Sequence, residues 1–288
     1  MRNFDEMTIT DAVLDRLSGA ADVRTREISA SLIRHLHAFV REVRPTIEEW
    51  EKGIAFLTAT GKMCSDTRQE FVLLSDTLGV SMLVDAINHG AGEGVTESTV
   101  LGPFYVDGPP EKAAGENISV GIAGEPLIVT GSVLAPDGAP IRGATVDVWH
   151  SDGDGYYDVQ QLEATGLTMR ARFATDDGGK FRFWTIKPAA YPIPHDGTVG
   201  AMLEKQGRHP WRPAHVHFMI SAAGYQKLVT HVFAEGDQYL DSDVVFGVKD
   251  SLVRKFAEHQ PGIAPDGLVQ TSPYFHLHYD FRLQEARK

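Results

Sequence analysis

The chain has 288 residues, 42% of them hydrophobic, and a formal net charge of −12 at pH 7. This length allows one large or two smaller domains, each with a core of its own. The acidic balance argues against nucleic acids and anionic lipid headgroups as main partners, because both bind basic surfaces.

Targeting and redox signals favour the cytoplasm. No apolar run approaches the ~18 residues that a membrane span needs, and the polar start MRNFDEMTIT lacks the layout of a signal peptide. Cys64 is the only cysteine, so neither an intramolecular disulfide nor a cysteine metal cluster can form. We therefore expect a cytoplasmic protein without a membrane span.

Residues 8–90 are predicted to be helical. In REISASLIRHLHAFVREV the apolar residues follow the three-to-four spacing of one helical face. This face consists of Ile28, Leu32, Leu36, Phe39, Val40 and Val43. Pro45 ends the segment, because the residue before a proline is disfavoured in the helical conformation. TIEEWEKGIAFLTAT and DTRQEFVLLSDTL keep the same spacing, and Asp66 and Thr67 form a plausible helix start.

From about residue 100 the pattern changes to short strands rich in β-branched and aromatic residues. The candidate strands are LIVTGSVLA, ATVDVWH, KFRFWTI, HVHFMIS, KLVTHVFA and YFHLHYDFRL, with turn signals such as APDGAP and DDGG between them. Residues 91–126 have the composition of a connection. We predict a mainly β protein with an α-helical N-terminal part: a helical domain at 1–99 and an antiparallel or mixed β-sandwich at 100–288.

Three His-x-His pairs stand out as candidate metal ligands. His35 and His37 lie in a predicted helix, where two residues turn through ~200°, so their rings point apart. His215 and His217 lie in a predicted strand, where residues two apart share a face about 6.6 Å from each other. The pair at 276 and 278 has the same strand spacing. Either strand pair fits a metal site, or a sheet edge with water or carboxylate partners.

The segment HSDGDGYYDVQQ resembles a calcium-binding loop only superficially. If Gly155 is the sixth loop residue, the first and twelfth positions fall on His150 and Gln161, where carboxylates are required. A turn that closes the preceding strand is the better interpretation. It carries Tyr157, and a stiff loop, PAAYPIP, carries Tyr191; each ring is either a functional group or a packed aromatic.

Four motifs follow one another along the chain: TVLGPFY, GDGYY, PAAYPIP and GRHPWRPAHVHF. In this order and at roughly these spacings, they resemble the intradiol ring-cleaving dioxygenases. The resemblance covers nearly the whole chain and is most specific in residues 96–108 and 144–250. It implies a non-haem Fe(III) held by Tyr157, Tyr191, His215 and His217. The pair at 276 and 278 has no counterpart among the family's ligands and is assigned to structure. Phenolate is a hard donor suited to ferric iron, and two phenolates with one hydroxide balance its charge.

The resemblance also implies a mechanism. A catechol-type diol chelates the iron and displaces hydroxide and Tyr191, which accepts the second hydroxyl proton. Tyr157 and His215 stay in the plane, and His217 lies opposite Tyr191. Arg212 stabilises developing charge on the substrate, unless it forms only a surface salt bridge. His231 is expected to take part in catalysis and stands where several relatives carry glutamine. It can still donate a hydrogen bond there, but it can also titrate.

Within the family, EGDQYLDSDVVFGVKDSL looks most like the hydroxyquinol branch. This implies cleavage of benzene-1,2,4-triol by dioxygen to 3-hydroxy-cis,cis-muconate or maleylacetate, with catechol or a substituted catechol as the alternative substrate. Asp76 then accepts a hydrogen bond from the third hydroxyl, unless it only faces water. The remaining expected pocket residues are Leu73, Leu101, Gly102, Pro103, Phe104, Ile193 and Pro194.

The helical part has a separate implied role. In relatives it forms a dimer interface that holds a lipid, and the apolar face at 28–43 fits either that role or ordinary packing. Two other functions remain open. A non-catalytic prealbumin-like module needs the strands but not the Tyr and His set. A ferrous oxygenase with two histidines and a carboxylate would lack the red to purple colour of tyrosinate bound to Fe(III).

Overall fold

In this computed structural model the described residues are 3–65, 68–90, 92 and 94–286. The predicted helix start at Asp66 and Thr67 lies outside them. The chain divides into two compact units, Met1–Ala59 and Thr60–Lys288. Helices nevertheless continue into the second unit, so the change from helix to strand comes later in the chain than the change of unit.

The helices cover most of the first 88 residues, as the spacing of apolar residues predicted. Their bounds are α1 Ile9–Asp15, α2 Val23–Val43, α3 Ile47–Lys62, α4 Glu70–Thr77 and α5 Val80–Asn88. Helices α6 Leu162–Thr165 and α7 Thr198–Lys205 come later in the chain, among the strands. Short 3-10 turns occur at Arg16–Gly19, Asp158–Gln160, Leu240–Ser242 and Asp250–Leu252. Among the described residues, no helix is both long and apolar enough to cross a lipid bilayer.

Helix α2 shows why its ends lie where they do. The side chain of Asp22 accepts a hydrogen bond from the backbone N–H of Thr25 and satisfies a donor that the first turn leaves free. At the other end Arg44 takes a left-handed conformation directly before Pro45, which confirms the predicted stop. The apolar face predicted at 28–43 is about half exposed, including Leu32 at 57%.

The strands begin after the predicted connection. Their bounds are β1 Pro126–Leu134, β2 Thr145–His150, β3 Arg170–Ala174, β4 Lys180–Ile186, β5 Tyr191–Pro192, β6 Trp211–Arg212, β7 His215–Ser221, β8 Leu228–Ala234, β9 Val253–Arg254, β10 Ala257–His259, β11 Gly262–Ile263, β12 Val269–Gln270, β13 Tyr274–His278 and β14 Phe281–Arg282. The predicted strand YFHLHYDFRL is interrupted at residues 279–280. Sequence analysis missed β3 and the shortest strands, because they offer too few residues for a period to be read.

The strands form two main sheets that share a core. One sheet has the order β3-β2-β7-β8-β9, and in the other β1 pairs with β4, β13 and β14. Strand β1 runs antiparallel to β4 and parallel to β13 and β14, so this sheet is mixed. Val148, Val216 and Phe218 of the first sheet join Val129 and Phe183 of the second in one buried cluster. The predicted class, a mainly β sandwich preceded by helices, is confirmed.

Candidate metal centre

The centre is built on the middle of the first sheet. Strand β7 lies between β2 and β8, and the antiparallel register places His217 opposite Trp149 on one side and His231 on the other. His215 and His217 are each 1% exposed. Since residues two apart in a strand share a face, both imidazoles point to the same side, as the sequence predicted.

The structure brings the four predicted ligands together. The Oη atom of Tyr157 lies 2.9 Å from Nε2 of His217, which lies 3.0 Å from Nε2 of His215. The ring of Tyr191 completes the group, with centroid distances of 5.1 Å to Tyr157 and 5.5 Å to His215. Residues separated by up to 60 positions in sequence therefore form one buried cluster.

The histidines are held as neutral imidazoles. The Nδ1–H group of His215 donates to the carbonyl oxygen of Pro213 over 2.7 Å, so the lone pair of the neutral ring is at Nε2, inside the cluster. Burial lowers the pKa of His215 and of His217 well below the ordinary range of histidine. Neutral imidazole is the form that binds metal ions, so the local environment favours ligation.

The tyrosines require a cation to ionise. Burial raises the pKa of Tyr157 well above its ordinary value, and the neighbouring Tyr191 raises it further. Burial also raises the pKa of Tyr191, while the guanidinium of Arg212 acts in the opposite direction. Two buried phenols become phenolates at neutral pH only beside an ion of high positive charge.

The donor atoms of the cluster fit such an ion. Among the described residues, Nδ1 of His217 and Nε2 of His231 are buried without a hydrogen-bond partner. Ligand atoms of His215, His217 and His231 lie within 4.8 Å of one another. The atoms that face one another are Oη of Tyr157 and the Nε2 atoms of His215 and His217, and this mixed set of oxygen and nitrogen donors fits a hard cation.

Local turn chemistry sets the position of Tyr157. The carboxylate of Asp152 accepts hydrogen bonds from the backbone N–H groups of Asp154 and Tyr156, so this segment is the turn that the sequence favoured. Gly155 has a φ of +90°, and an added Cβ there would lie 2.9 Å from the Cβ of Tyr191. Glycine therefore allows the two tyrosine loops to approach each other.

A buried ion pair holds the adjacent loop. Arg170 contacts the carboxylate of Asp158 through Nε and Nη2, and it also donates to the carbonyl oxygen of Phe104 over 3.1 Å. The ring of Phe104 stacks on Tyr157 at a centroid distance of 4.3 Å. Sequence analysis did not single out this pair, although Arg170 holds the backbone of the residue whose ring stacks on Tyr157.

Arg212 is not a surface residue. Its side chain is 2% exposed and pairs with Asp243, which sequence analysis missed, at 2.9 Å between Nε and Oδ1. His231 is fully buried, and its Nδ1 lies 3.2 Å from the hydroxyl of Thr99. The acidic run YLDSD was the available signal for Asp243, but it contains two aspartates and does not indicate which one pairs.

A cleft of about 1520 Å³ opens beside the centre within the second unit. Its lining includes the predicted pocket residues Asp76, Leu101, Gly102, Pro103 and Phe104. Asp76 is 3% exposed, which excludes the alternative that it only faces water. Burial, the largest cause, raises the pKa of Asp76. The other predicted pocket residues do not line the cleft. Of these, Leu73 and Ile193 are buried and Pro194 is half-buried.

The remaining histidine pairs lie elsewhere. His276 and His278 both contact the hydroxyl of Thr130, at 2.8 and 2.9 Å. His37 contacts Thr10 on helix α1, while His35 is exposed on α2. Only the pair on β7 therefore lies against the two tyrosines, among the histidine pairs that the sequence offered.

Known proteins share both the sequence and the fold. Residues 100–285 match the family described as "Dioxygenase", and residues 22–96 match "Catechol dioxygenase N terminus". The 6-chlorohydroxyquinol 1,2-dioxygenase of Cupriavidus pinatubonensis is 50% identical, over 98% of this chain and 99% of that protein. The hydroxyquinol 1,2-dioxygenase of Nocardioides simplex is 47% identical, over 98% and 96%.

Solved structures agree. That of hydroxyquinol 1,2-dioxygenase from Pseudomonas putida DLL-E4 has a TM-score of 0.91 at 48% identity and covers 98% of this chain and 99% of its own. That of Acinetobacter radioresistens catechol 1,2-dioxygenase has a TM-score of 0.86 at 30% identity, covering 100% and 96%. Both halves of the chain therefore match one family of enzymes, and the protein is a member of the intradiol ring-cleavage dioxygenases.

Proposed function

We propose that this enzyme cleaves hydroxyquinol between its adjacent hydroxyl-bearing carbons with dioxygen, in the catabolism of aromatic compounds. The product is 3-hydroxy-cis,cis-muconate or its keto form, maleylacetate. Relatives named for hydroxyquinol or its 6-chloro derivative, at 47–50% identity over 98% of this chain, support this substrate. The proposal rests most on the buried cluster of two phenols and two neutral imidazoles, with Tyr157 2.9 Å from His217.

The proposed cofactor is a non-haem Fe(III) held by Tyr157, Tyr191, His215 and His217. When bound, ferric iron supplies Lewis acidity that draws electron density from a chelated diol and makes its ring reactive toward dioxygen. The hard phenolate donors favour ferric iron over softer metals. The lone pair of His215 is directed by its hydrogen bond to Pro213, so this ligand is oriented in advance.

Tyr191 is the proposed base. The register of β5 and β6 pairs Tyr191 with Arg212, so the guanidinium lies beside the phenol. Its positive charge favours the phenolate form, and the Oη atom is the site that would accept the second hydroxyl proton of the diol. Arg212 remains protonated throughout and would stabilise negative charge that develops on the ring.

Asp76 is the proposed selectivity residue. It lines the cleft together with Leu101 and Phe104, and it is almost fully buried. A carboxylate there would accept a hydrogen bond from the third hydroxyl of hydroxyquinol, and catechol lacks that group. A site built to bond a hydroxyl discriminates strongly, because its polar group is otherwise left unpaired. The predicted pocket residues outside the cleft lining are proposed to pack against the residues that line it. They are Leu73, Ile193 and Pro194.

The second candidate substrate is catechol or a substituted catechol, which would yield cis,cis-muconate. The Candida albicans catechol 1,2-dioxygenase is 36% identical over 86% of this chain. This identity is lower than the 47–50% of the relatives named for hydroxyquinol, so the comparison favours hydroxyquinol as the substrate. Oxygen uptake by the iron-loaded enzyme with each substrate decides between them. We expect a higher kcat/KM for hydroxyquinol, and equal or greater kcat/KM for catechol would contradict the assignment.

His231 is proposed to donate a hydrogen bond near the substrate. It lies opposite His217 in the sheet, with ring centroids 4.2 Å apart, and is fully buried. Burial lowers the pKa of His231 well below its ordinary range, so we expect it to act as a neutral ring.

Residues 1–99 are proposed to form a dimerisation region, with a phospholipid as a possible additional ligand, and residues 100–288 the catalytic region. The half-exposed apolar side chains of α2, such as Leu36 and Val40, support a homodimer, because such a face is costly in water. Sedimentation equilibrium should give twice the chain mass.

The proposed location of the enzyme is the cytoplasm, and this proposal rests on its single cysteine.

A further inference from the structure

Asp243 and Arg212 form a buried pair at the edge of the centre. The guanidinium contacts the carboxylate twice, at 2.9 Å between Nε and Oδ1 and at 3.2 Å between Nη2 and Oδ2. The two side chains are 2% and 1% exposed. A paired geometry of this kind fixes the plane of the guanidinium as well as its position.

Asp243 is itself fixed by the backbone. Its Oδ2 accepts a hydrogen bond from the N–H of Gly247 over 2.9 Å, and its Oδ1 lies 3.4 Å from the N–H of Val245. The carboxylate therefore has an orientation that does not depend on Arg212 alone. It acts as a fixed support against which the long arginine side chain is held.

This support directs the rest of the guanidinium into the centre. The Nη1 atom of Arg212 lies 3.4 Å from Nε2 of His215, and Nη2 lies 3.5 Å from Nδ1 of His231. These separations are long for hydrogen bonds, so the outer donors are directed at the cluster and are not strongly bonded to these two histidines. The phenol of Tyr191 also faces the guanidinium, so the positive charge lies against the group of proposed ligands.

Gly247 leaves the space that the pair occupies. A Cβ added there would lie 3.0 Å from Nη2 of Arg212 and 3.2 Å from Oδ2 of Asp243. The backbone at Gly247 is not left-handed, so glycine is required for space and not for conformation. Any side chain at this position would push directly on the guanidinium.

From this geometry we propose that Asp243 is a positioning residue, which holds Arg212 in the orientation that stabilises negative charge on the reacting ring. This inference rests on the proposed function and deepens it. A purely structural ion pair would stabilise the fold and leave the chemical step unchanged. The two roles differ in whether the effect of Asp243 on turnover depends on the presence of Arg212.

The test is a double-mutant cycle with Asp243→Asn and Arg212→Gln in the iron-loaded enzyme. Loss of Arg212 should lower kcat by roughly 10²–10³-fold, as for removal of one oxyanion donor. Asp243→Asn keeps the shape and removes the charge, and it should lower kcat by about 10–100-fold in the wild-type background. In the Arg212→Gln background the same change should lower kcat by less than about threefold.

Anaerobic titration of the diol, followed in the visible spectrum, gives a readout without turnover. We expect the Kd of the diol to change by less than about threefold in Asp243→Asn, because the interaction matters mainly for charge formed later. Equal losses of kcat in both backgrounds would overturn the inference. Absence of turnover in the wild-type enzyme would instead contradict the proposed function.

Gly247→Ala tests the same idea without removing a buried charge, in case Asp243→Asn fails to fold. It should lower kcat by about tenfold in the wild-type background and have little effect with Arg212→Gln. Gly262→Ala is its control, because a Cβ there meets nothing closer than 3.8 Å. Asp147→Asn is the control for charge, since Asp147 is also buried against an arginine, Arg172. Both controls should keep wild-type kcat.

Discussion

Trp149 stacks on His217, with ring centroids 4.6 Å apart and ring planes inclined by 16°. The two residues lie directly opposite each other on neighbouring strands. The indole therefore supports one face of a proposed iron ligand, and His231 packs against the same imidazole from the other strand. The orientation of this ligand is set by the sheet on both sides.

Replacing Trp149 with leucine should weaken iron binding by about 10–100-fold, the usual cost of losing a group that orients a metal ligand. Trp149→Phe should retain most of the affinity, because it keeps an aromatic face. Iron per chain after dialysis against a graded chelator measures both. Trp184→Phe, on strand β4, is the control and should retain full iron. Equal retention in all three variants would show that the stack is not needed.

Tyr157 and Tyr156 are neighbours in sequence with different surroundings, because Tyr157 is 1% exposed and Tyr156 is 52% exposed. Tyr157→Phe should remove a phenolate ligand, and with it most of the visible charge-transfer band and the activity. Tyr156→Phe should leave both unchanged. Absorption spectra of equal concentrations, with an iron assay, make the comparison. A full visible band in Tyr157→Phe would remove this residue from the proposed ligand set.

Gly155→Ala should displace the loop that carries Tyr191. The added Cβ would lie 2.9 Å from the Cβ of Tyr191, at a position where φ is +90°. Steric contact and backbone strain together should cost about 1–3 kcal/mol and shift the visible band. Gly153→Ala lies in the same turn, where nothing is within 4 Å and φ is not left-handed. Urea denaturation should separate the two variants, and similar curves would contradict the packing argument.

Asp76→Ala should reduce selectivity between substrates. If the carboxylate accepts the third hydroxyl of hydroxyquinol, its removal should lower kcat/KM for that substrate by about 10–100-fold and leave catechol almost unaffected. Glu70→Gln is a less suitable comparison because Glu70 caps helix α7. Phe71→Leu serves as the control, since Phe71 is exposed on the same helix and is not part of the cleft lining. An unchanged hydroxyquinol-to-catechol ratio in Asp76→Ala would exclude this role.

His150 should make the fold sensitive to acid. It is fully buried, donates from Nδ1 to the carbonyl oxygen of Ser151, and contacts the Thr185 hydroxyl through Nε2. Burial lowers the pKa of His150 to about 4. Because the unfolded chain binds the proton more readily, this contribution is complete above a pH of about 6.5 and is lost as the pH falls toward 4.

The expected loss from this one group is about 2 kcal/mol between pH 7 and pH 5. Urea denaturation at both pH values, on the wild type and on His150→Gln, measures it. The variant should be less stable at pH 7 but should lose about 2 kcal/mol less on acidification. Parallel losses in the two proteins would assign the acid sensitivity to other buried histidines.

The sequence alone determined the elements whose signal is local. Helix α2 and strand β7 follow from apolar spacing over seven or more neighbouring residues, and Pro45 sets the end of α2. The spacing of His215 and His217 placed both rings on one face of a strand. Motif resemblance, rather than periodicity, selected the two tyrosines, because nothing in their local pattern distinguishes a ligand from a packed aromatic.

Only the tertiary structure decided which groups surround that ligand set. Strand register places Trp149 and His231 on either side of His217, and the Arg212–Asp243 pair joins residues 31 positions apart. Burial of Asp76 also appears only in the folded chain. These features depend on how distant segments pack and pair, and a periodic pattern within one segment carries no information about the partner that a different segment supplies.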